Sequence, residues 1–151
     1  VEVGDGFEPV GISILGNSIF SNDGLGIDLD GDGITPNDGP GDADTGPNNL
    51  QNFPVISSAN TGRRATTIKG TLESTLNATF IIQFFKNPIG AKDEGRTFAG
   101  EKVVSDTDGD GVVSFTFKPA KKVQAGMFVT ATATDQATGD TSEFSAPKKV
   151  R

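Results

Sequence analysis

TTIKGTLESTLNATFIIQFF, residues 66–85, decides the fold class of this chain. Thr67 to Leu72 alternates polar and apolar side chains at period two, the spacing of a strand with one buried face. Phe80-Ile81-Ile82-Gln83-Phe84-Phe85 is apolar on both faces, which predicts a strand in the middle of a sheet. Toward the C-terminus the pattern returns at Thr97 to Val104, Val112 to Phe117 and Met127 to Thr134. Thr141 to Phe144 is expected as a last, edge strand, and Pro54-Val55-Ile56 restarts an extended segment on the N-terminal side. Gly, Asn and Asp clusters separate these runs, and good helix formers show no periodic order. The expectation is an all-β chain whose residues 57–151 form an immunoglobulin-like β-sandwich. With no Cys and no Trp, the Cys-Trp-Cys core of antibody domains is unavailable, so only the architecture is expected.

Residues 1–56 read differently. Within GISILGNSIFSNDGLGIDL, residues 11–29, short apolar period-two runs are broken by Asn-containing corners. Gly11-Ile12-Ser13-Ile14 and Gly26-Ile27-Asp28-Leu29 look like one motif written twice. That grammar predicts a terminal β-helix-like coil, followed by a long Asp/Gly-rich loop. Solenoid coils bury their faces against stacked neighbours, so the segment is expected to be the end of a longer solenoid. The alternative is two ordinary strands packed on the following domain.

Composition removes several chemistries. Cys, His, Trp and Tyr do not occur, while 11 Phe supply core bulk. Thiol and imidazole catalysis, zinc-thiolate sites and Ser-His-Asp triads therefore have no residues to use. Residues 1–60 carry ten acids and no base, and residues 61–151 carry the other ten acids and all 13 bases, for a net −7. Nucleic acid is not expected as a partner of so acidic a half, and the other half shows no basic stripe with interleaved aromatics. No run approaches the ~20 apolar residues of a membrane span. No leader segment is visible and the chain begins at Val1, so a mature form or a fragment of something longer is expected.

The chemically one-sided stretch is DLDGDGITPNDGPGDADTGPNNLQN, residues 28–52. A compact acidic loop without cations repels itself, and a hard cation with oxygen ligands is the natural remedy. Calcium is the expected cofactor, with Asp28, Asp30, Asp32, Asp38, Asp42, Asp44 and Asn49 as the candidate ligands. Asp28-x-Asp30-x-Asp32-Gly33 opens like an EF-hand loop, but the position of its bidentate Glu is Gly39. Asp106-Thr107-Asp108-Gly109-Asp110-Gly111 repeats the opening and likewise ends without an acid, at Phe117. It reads first as a hairpin turn. Asp135 and Glu143 are expected to approach each other across a turn at Gly139-Asp140, either sharing a metal or leaving Glu143 to cap backbone amides.

GNSIFSNDGLGIDL (16–29), DADTGPNNLQNFPV (42–55) and TATATDQATGDTSEFS (130–145) resemble the C-terminal region of bacterial surface proteins with right-handed parallel β-helix repeats. The resemblance spans about Gly11 to Ala146. In that family a last coil runs through an Asp/Gly/Pro/Asn loop into an immunoglobulin-like domain. It implies export to the bacterial surface and a structural or adhesive role, and brings no catalytic set. The family's loop would have Pro directly after Asp38, where this chain has Asp38-Gly39-Pro40.

The functional expectation is a non-catalytic, calcium-stabilised structural or adhesive module of an exported bacterial surface protein. Its partner would be a cell-surface or extracellular glycan or protein. The alternatives are a calcium-dependent carbohydrate-binding module, or the non-catalytic part of a polysaccharide-degrading β-helix enzyme. With 20 acids, carboxylate pairs of glycosidase type arise by number alone, and nothing in the sequence marks one as buried.

Overall fold

The computed structural model describes residues 1–4, 6–90 and 93–151. Its strands are β1 (Glu2–Val3), β2 (Asp28–Leu29), β3 (Val55–Thr61), β4 (Thr66–Glu73), β5 (Thr79–Asn87), β6 (Thr97–Ser105), β7 (Val112–Phe117), β8 (Phe128–Asp135) and β9 (Lys148–Lys149). A single 3-10 turn, Pro47–Leu50, is the helical element among the described residues. The fold is all-β and β-sandwich-like. One antiparallel sheet has the order β3-β4-β7, and the other has the order β6-β5-β8-β9.

The two sheets share one core. Ile68 and Leu72 of β4 and Phe115 of β7 meet Phe80, Ile82 and Phe84 of β5 and Val129 of β8. Phe84 stacks on Phe117 at 4.2 Å and meets Phe115 edge-on at 5.5 Å, geometries that add to simple burial. Gly70 in β4 is required by close approach, because a Cβ there would lie 2.2 Å from the Val55 carbonyl oxygen.

β5 is central, as its two-faced apolarity predicts. Its odd neighbours face the other way: Phe85 joins Val3, Ile14, Ile27, Leu29 and Phe144 in a second apolar cluster. Val3, Ile14, Ile27 and Leu29 therefore lie against the outer face of the four-stranded sheet. There β1 and β2 pair in parallel, Glu2 opposite Asp28 and Val3 opposite Leu29. The parallel partner of Gly26–Leu29 is thus the chain start, not the look-alike Gly11–Ile14. That segment is no strand; Gly11 N–H donates to Asp140 Oδ1 at 2.6 Å, and Ile14 N–H to Thr141 Oγ1 at 2.9 Å.

Two further expectations change. Asp106–Gly111 is not a hairpin, since β6 pairs with β5 and β7 pairs with β4, so the turn crosses between sheets. Thr141 to Phe144 runs beside β8, but only Thr141 forms a bridge, to Thr134. Serine hydroxyls replace ladder carbonyls here: Ala133 N–H donates to Ser142 Oγ and Ala131 N–H to Ser145 Oγ, both at 2.9 Å. The edge strand beyond β8 is β9.

Candidate metal centre

The acidic loop folds onto the end of β4. Gly41 N–H donates to the Ser74 carbonyl at 3.0 Å, and Asn52 Nδ2 bridges the carbonyls of Gly39 (3.1 Å) and Glu73 (3.0 Å). Pro47–Leu50 then reverses the chain, with Asn48, Asn49 and Leu50 at φ of 50°, 48° and 48°. Asn tolerates this left-handed region, so the Asn-Asn pair suits a turn that most residues would strain.

Of the candidate ligands, the structure brings together Asp38, Asp42 and Asp44, each with a carboxylate oxygen within 4.8 Å of the others. Asp42 Oδ2 accepts from Ser74 Oγ, from Gln51 Nε2 at 3.0 Å and from Asn52 N–H at 3.2 Å. Asp38 Oδ2 accepts the N–H groups of Ala43 (2.9 Å) and Asp44 (3.3 Å). Among the described residues three buried side-chain polar atoms have no hydrogen-bond partner, and two are Asp42 Oδ1 and Asp44 Oδ1. Buried polar atoms are ordinarily satisfied, so a pair of orphaned carboxylate oxygens at one place points to a missing positive partner. A hard divalent cation fits this all-oxygen set.

The charges agree with that fit. Burial, opposed by the bonds from Ser74 and Asn52 and reinforced by the charges of Asp38 and Asp44, pushes the Asp42 carboxyl up to about 6. Burial and then the Asp38 charge raise Asp44 as well. At Asp38 burial acts upward, but the hydrogen bonds from Ala43, Asn52 and Asp44 together prevail and hold its carboxyl below the ordinary range. A cation at this point would reverse the upward shifts.

Asn49 lies beside the cluster but spends its amide on Asp140, with Nδ2 2.7 Å from Asp140 Oδ2. A cavity of about 330 Å³ opens there, lined among others by Asp42, Asp44, Asn49, Asp135 and Asp140. Asp28, Asp30 and Asp32 do not join the cluster. Asp28 Oδ1 accepts Gly33 N–H at 3.2 Å, while Asp30 and Asp32 are exposed.

Glu143 caps amides. Its two oxygens accept Leu29 N–H and Thr35 N–H, both at 3.1 Å. Burial drives this carboxyl up to about 7, the two amide bonds act downward, and the charges of Asp28 and Asp32 add to the rise. Asp135 serves its own turn, accepting Ala137 N–H at 2.7 Å.

Asp106, Asp108 and Asp110 form the second acidic group. Asp106 is committed to backbone: it accepts the N–H groups of Asn77 (2.8 Å), Gly109 (2.9 Å) and Gly111 (3.0 Å). Those bonds, the Asn77 N–H first, hold its carboxyl down at about 2. Its oxygens are occupied, which distinguishes it from the first cluster.

Gln51, Asn52 and Ser74 are the residues of the site that sequence reading passes over. Asn52 is 2 % exposed and Ser74 1 %, burial that polar residues in a polar run do not announce. No family model matches this chain, and no curated protein matches it. No helix among the described residues is long and apolar enough to cross a membrane.

Proposed function

We propose that this chain is a non-catalytic, calcium-stabilised structural or adhesive module of an exported bacterial surface protein. The observation that carries the reading is the pair of buried, partnerless oxygens, Asp42 Oδ1 and Asp44 Oδ1, beside Asp38. Calcium is preferred over magnesium because a flexible, Gly- and Pro-rich loop suits the looser calcium sphere. Bound there, the ion neutralises the loop and ties it to β4, so its binding free energy adds to folding stability.

Two features support the finer architecture. A three-plus-four antiparallel sandwich with the orders β3-β4-β7 and β6-β5-β8-β9 suits an immunoglobulin-like domain. The parallel pairing of Glu2–Val3 with Asp28–Leu29, one circuit of the chain later, suits a β-helix-like coil. The resemblance of residues 16–29, 42–55 and 130–145 to β-helix surface proteins points the same way. The structural role is favoured by what the other acids do: Asp106 and Glu143 hold backbone amides.

Calorimetric titration of the EDTA-stripped, dialysed chain tests the proposal. One calcium per chain is expected, lost in Asp42→Asn and Asp44→Asn and kept in Asp108→Asn. No binding heat and no shift of any spectroscopic signal on calcium addition would overturn it.

A further inference from the structure

The fold sorts charge along the strands. Asp42 docks on Ser74, just past the C-terminal end of β4, Asp38 reaches Glu73 there through the Asn52 amide, and Asp106–Asp110 adjoins the same end through the Ser74 N–H bond to the Gly111 carbonyl. Thr66, the first residue of β4, lies at the opposite end, about 23 Å away at strand rise. Residues 61–65, 118–125 and 145–151, which meet at that far end, contain no Asp or Glu and eight of the 13 Lys and Arg.

Bases from three separate segments are pinned together there. The turn after β3 carries exposed Arg63 and Arg64. Thr66 Oγ1 beside it both donates to the Val123 carbonyl and accepts Val123 N–H, each at 2.9 Å, fixing the loop of Lys118, Lys121 and Lys122. Thr61 N–H donates to the Arg151 carbonyl at 2.6 Å, and Arg151 N–H to the Ala59 carbonyl at 3.0 Å, which draws in the C-terminal Lys148-Lys149 pair. Between β3 and β9 runs a groove of about 300 Å³ lined by Ser57, Ser58, Asn60, Lys148, Lys149 and Arg151.

We propose that this basic pole is the docking surface for a linear acidic polysaccharide. Clustered cations gain most from a polymer of closely spaced anions, whose condensed counterions are released on contact. Hydroxyl and amide groups of Ser58 and Asn60 stand beside the cations, as sugar hydroxyls require. The groove has no aromatic lining, so nucleobases find no stacking platform. The acidic pole of a second copy is the poorer occupant. Its Asp38 and Asp106 carboxylates already serve internal amides, and exposed ion pairs contribute little singly.

The inference is independent of the cation site, so its test is run in EDTA. Binding of heparin and of polygalacturonate is measured by calorimetry at several salt concentrations, against neutral dextran and single-stranded DNA. Sedimentation velocity is run in parallel, with and without polysaccharide. Both acidic polysaccharides are expected to bind, with log K falling linearly in log salt and dextran silent. Arg63→Glu/Arg64→Glu and Lys148→Glu/Lys149→Glu should each weaken binding about tenfold by removing anion contacts, while Asp108→Asn/Asp110→Asn leaves it unchanged. These side chains are exposed except for half-buried Lys148, and unchanged melting midpoints show the variants folded. The proposal is overturned by no binding at low salt, by binding indifferent to both reversals, or by equal affinity for DNA. It is also overturned by self-association that the same reversals abolish, which would make a second copy the occupant.

Discussion

Asn48 and Ile12 are joined by a reciprocal pair of hydrogen bonds: Ile12 N–H donates to Asn48 Oδ1 at 2.9 Å, and Asn48 Nδ2 donates to the Ile12 carbonyl at 2.8 Å. One side-chain amide thus plays the part of a neighbouring strand for a segment that has none. The same Nδ2 reaches the Thr141 carbonyl at 3.0 Å, so Asn48 ties the N-terminal segment, the acidic loop and the sandwich together. Asn48→Ala should destabilise the chain by about 2–3 kcal/mol, because it orphans buried polar groups and puts Ala at positive φ. Asn48→Gly removes the backbone strain but not the lost bonds, and should cost nearly as much. Urea melts of both variants check this, and a near-neutral Asn48→Gly would mean that the bonds matter little.

Asp42→Asn should change sign with calcium. In EDTA the buried charge opposes folding, and an amide can still accept at the Oδ2 position from Ser74 and Gln51. The variant should therefore melt at or above the wild-type midpoint. With saturating calcium the order should reverse, since the variant gains nothing from the ion. Parallel melts in the two conditions decide it.

The metal-free chain should be most stable near pH 4. Asp42 rises from 3.8 to about 6 on folding and Glu143 from 4.5 to about 7, so the folded state binds more protons across those windows. Their contribution is complete at low pH and is lost as pH rises through 6 and then 7. Asp106, held at about 2, acts oppositely: its stabilisation is present above 3.8 and lost as pH falls toward 2. Calcium should remove the Asp42 part of the decline and leave that of Glu143. In Glu143→Gln, the slope between pH 5 and 7 should flatten. A wild-type midpoint that climbs from pH 4 to 7 in EDTA would contradict these assignments.

The contact between the N-terminal segment and the sandwich rests on Phe144. Its ring meets Phe85 edge-on at 5.3 Å and lies where a Cβ on Gly95 would come within 2.5 Å. Phe144→Ala should cost about 3–5 kcal/mol, the usual range for emptying such a site. Hydrogen exchange should then show the amides of Asp28 and Asp30, bonded to Val1 and Val3, opening before those of β5. Uniform acceleration throughout would mean that the two parts unfold only together.

Much of the sandwich is legible in the sequence because its signal is local. Phe80 to Phe85 announces itself as a short run apolar on both faces and Val112 to Phe117 by alternation, both with β-branched or aromatic content, and both are strands. Thr141 to Phe144 misleads because the hydroxyls of Ser142 and of Ser145 just beyond it imitate carbonyls, a substitution that periodicity cannot register. The acidic loop is visible as a candidate site, but its division is not. Whether Asp28 or Asp42 meets Asp38 depends on a chain reversal at Asn48–Leu50 and on Ser74, distant in sequence. The basic pole is equally hidden, since Arg63, Lys122 and Arg151 become neighbours only through the bonds around Thr61 and Thr66.

The most direct test of the cation site is the thermal midpoint of the EDTA-stripped chain across a calcium titration, with magnesium as control and Asp42→Asn beside the wild type. At a calcium concentration one hundred times the dissociation constant, a single site adds about 2.7 kcal/mol. For a domain of this size that corresponds to a rise of roughly 5–10 °C. The account predicts a saturable rise of that order in the wild type and none in the variant. An unchanged midpoint, or an equal rise in Asp42→Asn, would contradict it.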